Sequence, residues 1–302
     1  MSENGRPLVG LLYNPTVPAV LDRAGSLVSY LAVVPERLWF DLGQDALGKR
    51  FRRIDDAIDV MKRYADGRIV SGHGVGLSLP TEAPLDTDLL GEIALLASEL
   101  EFAWYSEHLT MFMTPHADAQ SAQAGLALPI VYDDETFQSL RSKIASVKAA
   151  LNCPLILENG SIFTAIPEME MTEPSFLNRL YRETGCGVLL DLHNLYVTSR
   201  HGNVDPGEYL AEIDPSAVLE IHLAGGDELM GFYTDSHSRL ASEPLWSWAF
   251  EYAPKFTRLR AITFEYHESY FETLEVEGIV TQLERMHELA DRCTSAPVLN
   301  YA

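Results

Sequence analysis

Short apolar runs alternate along the chain with longer segments whose apolar residues return every three or four positions. Eight runs read as β-strands: 8–14 (LVGLLYN), 31–40 (LAVVPERLWF, interrupted by Pro35), 68–74 (RIVSGHG), 102–109 (FAWYSEHL), 154–160 (PLILENG), 187–195 (GVLLDLHNL), 217–225 (AVLEIHLAG) and 261–267 (AITFEYH). Helical patterns lie between them. Over 134–151, Phe137, Leu140, Ile144, Val147 and Leu151 share one face, behind the capping acids Asp133 and Asp134. Over 272–292, Leu274, Ile279, Leu283, Met286 and Ala290 do the same. Strands alternating with helices over 302 residues predict an α/β fold, a single (β/α)8 TIM-type barrel over 1–302. A doubly wound open sheet is the runner-up, but no Gly-x-Gly-x-x-Gly follows a strand. The connection at about 110–132, containing TPHADAQSAQAGLALP, is long for a βα loop. It reads either as a lid or insertion facing a substrate, or as an irregular surface loop.

Composition narrows the class. No apolar run is long enough to span a membrane. The opening MSENGRPLVG lacks the charged-then-apolar pattern of a signal peptide. Cys153, Cys186 and Cys293 are scattered and read as reduced structural thiols, so the expected location is cytoplasmic. With 44 acidic against 22 basic residues the net charge is −22, which argues against a nucleic-acid partner. A solvated acidic surface accounts for most of that charge, and bound cations would neutralise part of it.

The nine histidines carry the chemistry. His73, His108, His193, His222 and His267 fall near the C-terminal ends of predicted strands. His237 follows the seventh strand. His116 and His201 sit in loops after strands, and His287 lies inside a helix, where a structural role fits best. Barrel active sites form at the C-terminal rim of the strands, so a set of imidazoles drawn from several units points to one site. Glu158, Asp191, Asp235 and Glu265 join them. Side chains two apart share a strand face, which pairs Asp191 with His193 and Glu265 with His267. The same rule turns Glu220 and His222 inward and Leu219, Ile221 and Leu223 toward the outer helices. Asp235 and His237 repeat the acid-x-His spacing in a loop. Imidazoles and carboxylates without thiolates suit iron, manganese or zinc better than calcium or magnesium. Ten candidates exceed the needs of one ion; two or three ions fit. Other readings stay open: Glu158 pairing with an arginine, His193 and His267 supporting ligands by hydrogen bonds, and Glu220 lining or supporting the site.

The fragments HGVGLSL, SEHL, LENGS, DLHNLYVTSRHG, EIHLAGG, TDSHS and FEYH, in order from about residue 68 to 270, resemble the multinuclear non-heme iron-dependent oxidative enzyme (MNIO) family. The resemblance implies a TIM-type barrel of the xylose-isomerase-like kind holding two or three irons in mixed Fe(II)/Fe(III) states. It also implies dioxygen chemistry on residues, often cysteines, of a ribosomally made precursor peptide, commonly with a small partner protein that recognises the peptide leader. Motif matching carries the ligand role to His73, His108, Glu158, Asp191, His222, Asp235, His237 and Glu265, with Glu158 a bridge and Asn194 a ligand or a support. The chain departs from the family's pattern at several places. His193 replaces an Asn of Asp-x-Asn-Asn, His267 an Asp, Gly226 the last His of HLAGH, and Met111 a common aromatic; the second strand lacks the usual Glu-Asn pair. This marks a divergent branch.

The expected activity is that of an iron-dependent oxidase. Direct coordination is expected of His193 ahead of His267, and either imidazole would let one position take zinc or manganese. No side chain is assigned to proton transfer. Two rivals remain: a zinc- or manganese-dependent hydrolase or isomerase on the same barrel, and a non-catalytic metal-binding scaffold.

Overall fold

A computed structural model describes residues 5–113, 123–164, 169–202 and 204–293. Eight parallel strands close into a barrel: β1 Leu8–Leu12, β2 Tyr30–Val33, β3 Ile69–Gly74, β4 Tyr105–His108, β5 Leu155–Glu158, β6 Gly187–Asp191, β7 Val218–Leu223 and β8 Ala261–Phe264. Each strand pairs with its neighbours in sequence, and β8 closes on β1. Among the described residues nine α-helices cover the outside: α1 Val17–Ala24, α2 Asp55–Ala65, α3 Thr87–Glu99, α4 Asp134–Ala150, α5 Glu173–Thr184, α6 Leu192–His201, α7 Pro206–Glu212, α8 Glu243–Tyr252 and α9 Phe271–Arg292. This is the expected (β/α)8 TIM-type barrel. No described helix is long and apolar enough to cross a membrane.

Every strand but β3, which ends at Gly74 as its run does, stops earlier than the apolar runs suggested, and the endings have local causes. After β2, Pro35 opens a 3-10 turn at Pro35–Leu38 because it has no N–H for the ladder. The chain then pairs Trp39–Asp41 with Phe51–Arg53 in a separate antiparallel ribbon. β6 stops at Asp191, whose side chain accepts the Asn194 N–H at 2.8 Å and caps α6. His193 therefore lies in the first turn of a helix, and the expectation that it shares a strand face with Asp191 is corrected. In α4 the cap is Asp133, accepting from Thr136 N–H at 2.8 Å. The connection at 110–132 contributes an antiparallel ribbon of Met111–Met113 with Gln123–Leu128. Residues 114–122 of it, including His116, lie outside the described residues.

Two layers of core result. One fills the space between sheet and helices, with Leu11, Leu31, Ile221, Leu223 and Phe264 contributed by the strands. A smaller cluster contains Leu8, Tyr30, Ala32, Trp104, Ile156, Leu189, Leu219 and Ala261. Leu219 belongs here and not with Ile221 and Leu223 as its spacing predicted. The β6–β7 register shifts between Val188 and Leu189, and Val188 pairs Val218 while Leu189 pairs Glu220. The extra residue on β7 is Leu219, and a bulge turns it out of alternation.

Candidate metal centre

Strand register puts the chemistry together. His108 stands beside Glu158 in the β4–β5 ladder, and Asp191 beside His222 in the β6–β7 ladder. His73 on β3 is buried, with its Nδ1 2.8 Å from Ser106 Oγ. Its Nε2 lies 3.6 Å from Glu158 Oε2, and His108 Nδ1 lies 3.3 Å from the same oxygen. His222 Nδ1 is 2.7 Å from Glu265 Oε1, one residue past β8. Asp235 and His237 arrive on the loop after β7. Asp235 Oδ1 lies 3.0 Å from both His237 Nε2 and His193 Nδ1, and Glu265 Oε2 lies 3.5 Å from His237 Nδ1. His237 takes a left-handed backbone, φ +49°, which non-glycine residues rarely adopt. Its carbonyl is held by the His267 N–H at 3.0 Å.

Polar groups support the barrel-side histidine from below. Glu220 Oε1 lies 2.9 Å from His222 Nε2. Glu220 also accepts from Tyr30 OH at 2.7 Å, Trp104 Nε1 at 2.7 Å and Thr263 Oγ1 at 2.6 Å. This fixes which nitrogen of His222 faces the cluster, the usual way a carboxylate orients a ligating imidazole. On the opposite wall, Asn194 Nδ2 donates to Glu158 Oε1 at 2.9 Å. Asn159 brackets Asp191, donating to its carbonyl at 3.0 Å and accepting its N–H at 2.7 Å.

Charge in the cluster is finely divided. Burial drives the His73 pKa down to about 4 and that of His108 to about 3, so both rings are neutral at pH 7. Burial raises Glu158 well above the usual carboxylate range, with Asp191 adding to it, and raises Asp191 too, with Glu265 adding to it. Burial works against a charged His222, but Glu265 and Glu220 outweigh it and hold its pKa well above the ordinary value. Burial also opposes a charged His237, and Asp235 lifts it to about 9. For Asp235, burial is outweighed by His237 and His193, and its carboxyl is held well below the usual range.

Several of these atoms have no hydrogen-bond partner although they are buried: Glu158 Oε2, Asp191 Oδ2, His193 Nδ1, His222 Nδ1, Asp235 Oδ1 and Glu265 Oε1. Buried polar atoms are normally paired, and charged ones especially so. Here the unpaired atoms converge. Among the described residues four overlapping groups place one ligand atom each within 4.8 Å of the others: His73–His222–Glu265, His73–His108–Glu158, His193–Asp235–His237 and Glu158–Asp191–His222. Donors about 2.1 Å from one ion stand roughly 3.0 Å apart on an octahedral edge and roughly 3.4 Å on a tetrahedral one. The separations of 3.0 Å at His193–Asp235 and His237–Asp235 and 3.3 Å at His108–Glu158 fall in that range, with His73–Glu158 at 3.6 Å just above it and His222–Glu265 at 2.7 Å just below. The residues present therefore fit metal ions.

The family model described as "RiPP precursor modification enzyme MbnB/TglH/ChrH" matches residues 9–290. The chain belongs to this family. It is the MNIO family that the motifs resembled. A protein of Chromobacterium violaceum named only as a UPF0276 protein is 36% identical over 187 residues, 62% of this chain; the match spans about two thirds (66%) of that relative's length. A UPF0276 protein of Caulobacter vibrioides is 31% identical over 233 residues, 77% of each chain. Among solved structures, D-psicose 3-epimerase from Clostridium cellulolyticum H10 superposes with a TM-score of 0.55 at 9% identity, covering 96% of this chain and all (100%) of that one. A xylose isomerase domain containing protein of Salmonella typhimurium superposes with a TM-score of 0.55 at 14% identity, covering 90% of each chain. At such identities these neighbours bear on the fold alone.

Of the residues singled out in the sequence, the structure gathers His73, His108, Glu158, Asp191, His193, His222, Asp235, His237 and Glu265 on one rim. Asn194 and Glu220 border them as hydrogen-bonding supports. His267 does not join. The strand ends at Phe264, so alternation no longer governs position 267. Its side chain is exposed and accepts the Ser269 N–H at 3.2 Å, starting a 3-10 turn. His201 is the last residue of α6, with Nε2 2.8 Å from the Tyr233 carbonyl. His287 lies between Arg6 and the Leu27 carbonyl, a structural position. Sequence reading missed Ser106, Asn159 and Tyr233. Ser106 and Asn159 sat inside quoted motifs next to acids. Tyr233, whose hydroxyl lies 3.2 Å from His193 Nε2, carried no signal, since a two-stranded hairpin brings it there.

Proposed function

We propose that this protein is an iron-dependent oxidase that uses dioxygen to modify a residue, often a cysteine in this family, of a ribosomally made precursor peptide. The observation that carries this reading is the convergence of unpaired, buried carboxylate and imidazole atoms on one barrel rim, in a chain of this family. His73, His108, Glu158, Asp191, His193, His222, Asp235, His237 and Glu265 would hold two or three iron ions, and zinc or manganese is admissible at the position of His193. Such a cluster supplies ferrous iron to activate dioxygen and a ferric Lewis acid to bind a substrate thiolate or similar anion.

The chain's own residues divide the remaining work. Glu158 offers Oε2 to both His73 and His108, while the group it forms with Asp191 and His222 extends the cluster across the barrel, so it is the natural bridge. Glu220 and Ser106 hold the rings of His222 and His73 in one orientation. Access is graded. The side chains of Glu158, His222 and Glu265 are at most 3% exposed, whereas Asp235 and His237 are about a quarter exposed, which leaves substrate to enter from the side of the loop after β7. A small leader-recognising partner protein is part of the same proposal, as is a cytoplasmic location.

The test is elemental analysis of anaerobically purified protein, with oxygen consumption measured in the presence of a candidate precursor peptide. More than one iron per chain with peptide-dependent oxygen uptake is expected. Recovery of a single ion or none would overturn the multinuclear reading. Zinc or manganese without oxygen uptake would favour a hydrolase or isomerase on the same barrel.

A further inference from the structure

Beyond β7 the chain forms a tight hairpin, with Glu228–Leu229 paired to Phe232–Tyr233 through a turn at Met230 and Gly231, both at positive φ. Tyr233, the last residue of this hairpin, precedes Asp235 by two positions. Its hydroxyl lies 3.2 Å from His193 Nε2 and accepts the Gly226 N–H at 3.0 Å. Its ring packs edge-on against Tyr196 at 5.1 Å and against His193 at 5.8 Å. Gly226 has no room for a side chain: a Cβ there would stand 2.0 Å from the Thr234 carbonyl oxygen and 3.0 Å from His193 Nε2. The glycine thus admits both the hairpin backbone and the imidazole.

We propose that Tyr233 is a positioning residue that turns the bare Nδ1 of His193 toward Asp235, and so completes an outer metal position with His237 that is separable from the inner ones. This rests on the reading that the cluster holds iron. The argument is one of hydrogen-bond inventory. A phenol has one O–H and two lone pairs. The Gly226 N–H uses one lone pair. If the Nε2–H of His193 uses the other, Nδ1 is unprotonated and free to ligate. If the hydroxyl donates to Nε2 instead, Nδ1 carries the proton and should hydrogen-bond Asp235. Asp235 Oδ1 is only 3.0 Å away, yet neither atom has a hydrogen-bond partner. The first arrangement fills both lone pairs of the hydroxyl, turns its own proton away from His193, and leaves two bare donors facing one point, with His237 Nε2 3.0 Å from the same oxygen. Two imidazoles and one carboxylate with open remaining positions form the facial arrangement favoured by ferrous iron.

The experiment is anaerobic titration of the metal-free full-length chain with ferrous iron, following stoichiometry and affinity, with a ring-nitrogen NMR spectrum of the 15N-histidine-labelled parent. Tyr233→Phe keeps the ring and removes the hydroxyl. It should weaken one iron equivalent by 10–100-fold and leave the others unchanged, the usual loss when a ligand's hydrogen-bonding support is removed. His193→Ala should lose that same equivalent, and the double variant should lose nothing further. Leu229→Ala, exposed on the same hairpin, should bind as the parent does. The parent's His193 should show the Nε2–H tautomer. Unchanged affinity in Tyr233→Phe, or an Nδ1–H tautomer, would overturn the role of Tyr233. Should the parent take up no iron, the iron reading itself fails. The tautomer, read on the parent protein, still decides what Tyr233 does to His193.

Discussion

Glu158 is the residue on which the cluster turns. One of its oxygens has no hydrogen-bond partner and lies 3.3–3.6 Å from two imidazoles, while the other accepts from Asn194. Removing the side chain would leave two cations with fewer attachments and more mutual repulsion. Glu158→Ala is expected to lose more than one equivalent of metal by elemental analysis, whereas loss of a single equivalent would make it a terminal ligand. His267 gives the opposite expectation. Its ring is exposed and occupied by the Ser269 N–H, so His267→Ala should keep full metal content. A drop of one equivalent would return it to the ligand set.

At the level of elements, Asp191 does two things at once, since one oxygen caps α6 and the other is unpaired and faces the cluster. Asn caps helices as well as Asp does, while alanine at a cap costs about 1 kcal/mol. Asp191→Asn should therefore keep the stability of the metal-free protein and lose metal. Asp191→Ala should lose metal and about 1 kcal/mol besides. Denaturant titration of the metal-free variants beside metal analysis separates the two effects; equal metal content in Asp191→Asn and parent would confine Asp191 to capping. The same junction shows what the sequence could and could not express. Apolar runs located all eight barrel strands, and rim histidines announced the site, because burial and strand-end chemistry are written locally. Where a strand stops is set by the next element. A period-two rule carried past Asp191 put His193 on a strand face, and carried past Phe264 it put His267 in the cluster. Only the first still reached the site, because the opening turn of α6 sits directly on the rim. The bulge at Leu219 and the hairpin that delivers Tyr233 depend on contacts distant in sequence and had no local signature.

Across the whole molecule, the acidic excess of the chain is partly stored in this rim, where protons and cations compete for the same atoms. His237 carries the clearest pH consequence. Burial would lower its pKa, but Asp235 and its neighbours raise it to about 9, above the ordinary value near 6.5. The folded metal-free protein thus holds a proton that the unfolded chain releases, and the resulting stability is complete below about 6.5 and lost as pH rises through about 9. His73 and His108, near 4 and 3, are neutral in the folded protein while the unfolded rings still hold protons near pH 6.5, so they give a small opposing slope at the low end of that window that dies out as pH rises. Glu158, raised by burial, and Glu36, raised by burial to about 7, push in the same direction as His237, because each binds protons more readily folded than unfolded. A bound cation takes the place of these protons, and its binding releases them. The melting temperature of metal-free protein should accordingly fall between pH 6.5 and 9. That of protein in a fixed concentration of ferrous iron, a hundredfold above its Kd at pH 6.5 and worth about 2.7 kcal/mol per site there, should fall less, so that the gap between them widens with pH. In His237→Gln the metal-free protein should show a shallower fall over the same range, which isolates this ring from Glu158 and Glu36. A gap that stays constant from pH 6.5 to 9 would mean that the metal does not displace protons from the rim, and His237 would then have to be removed from the ligand set.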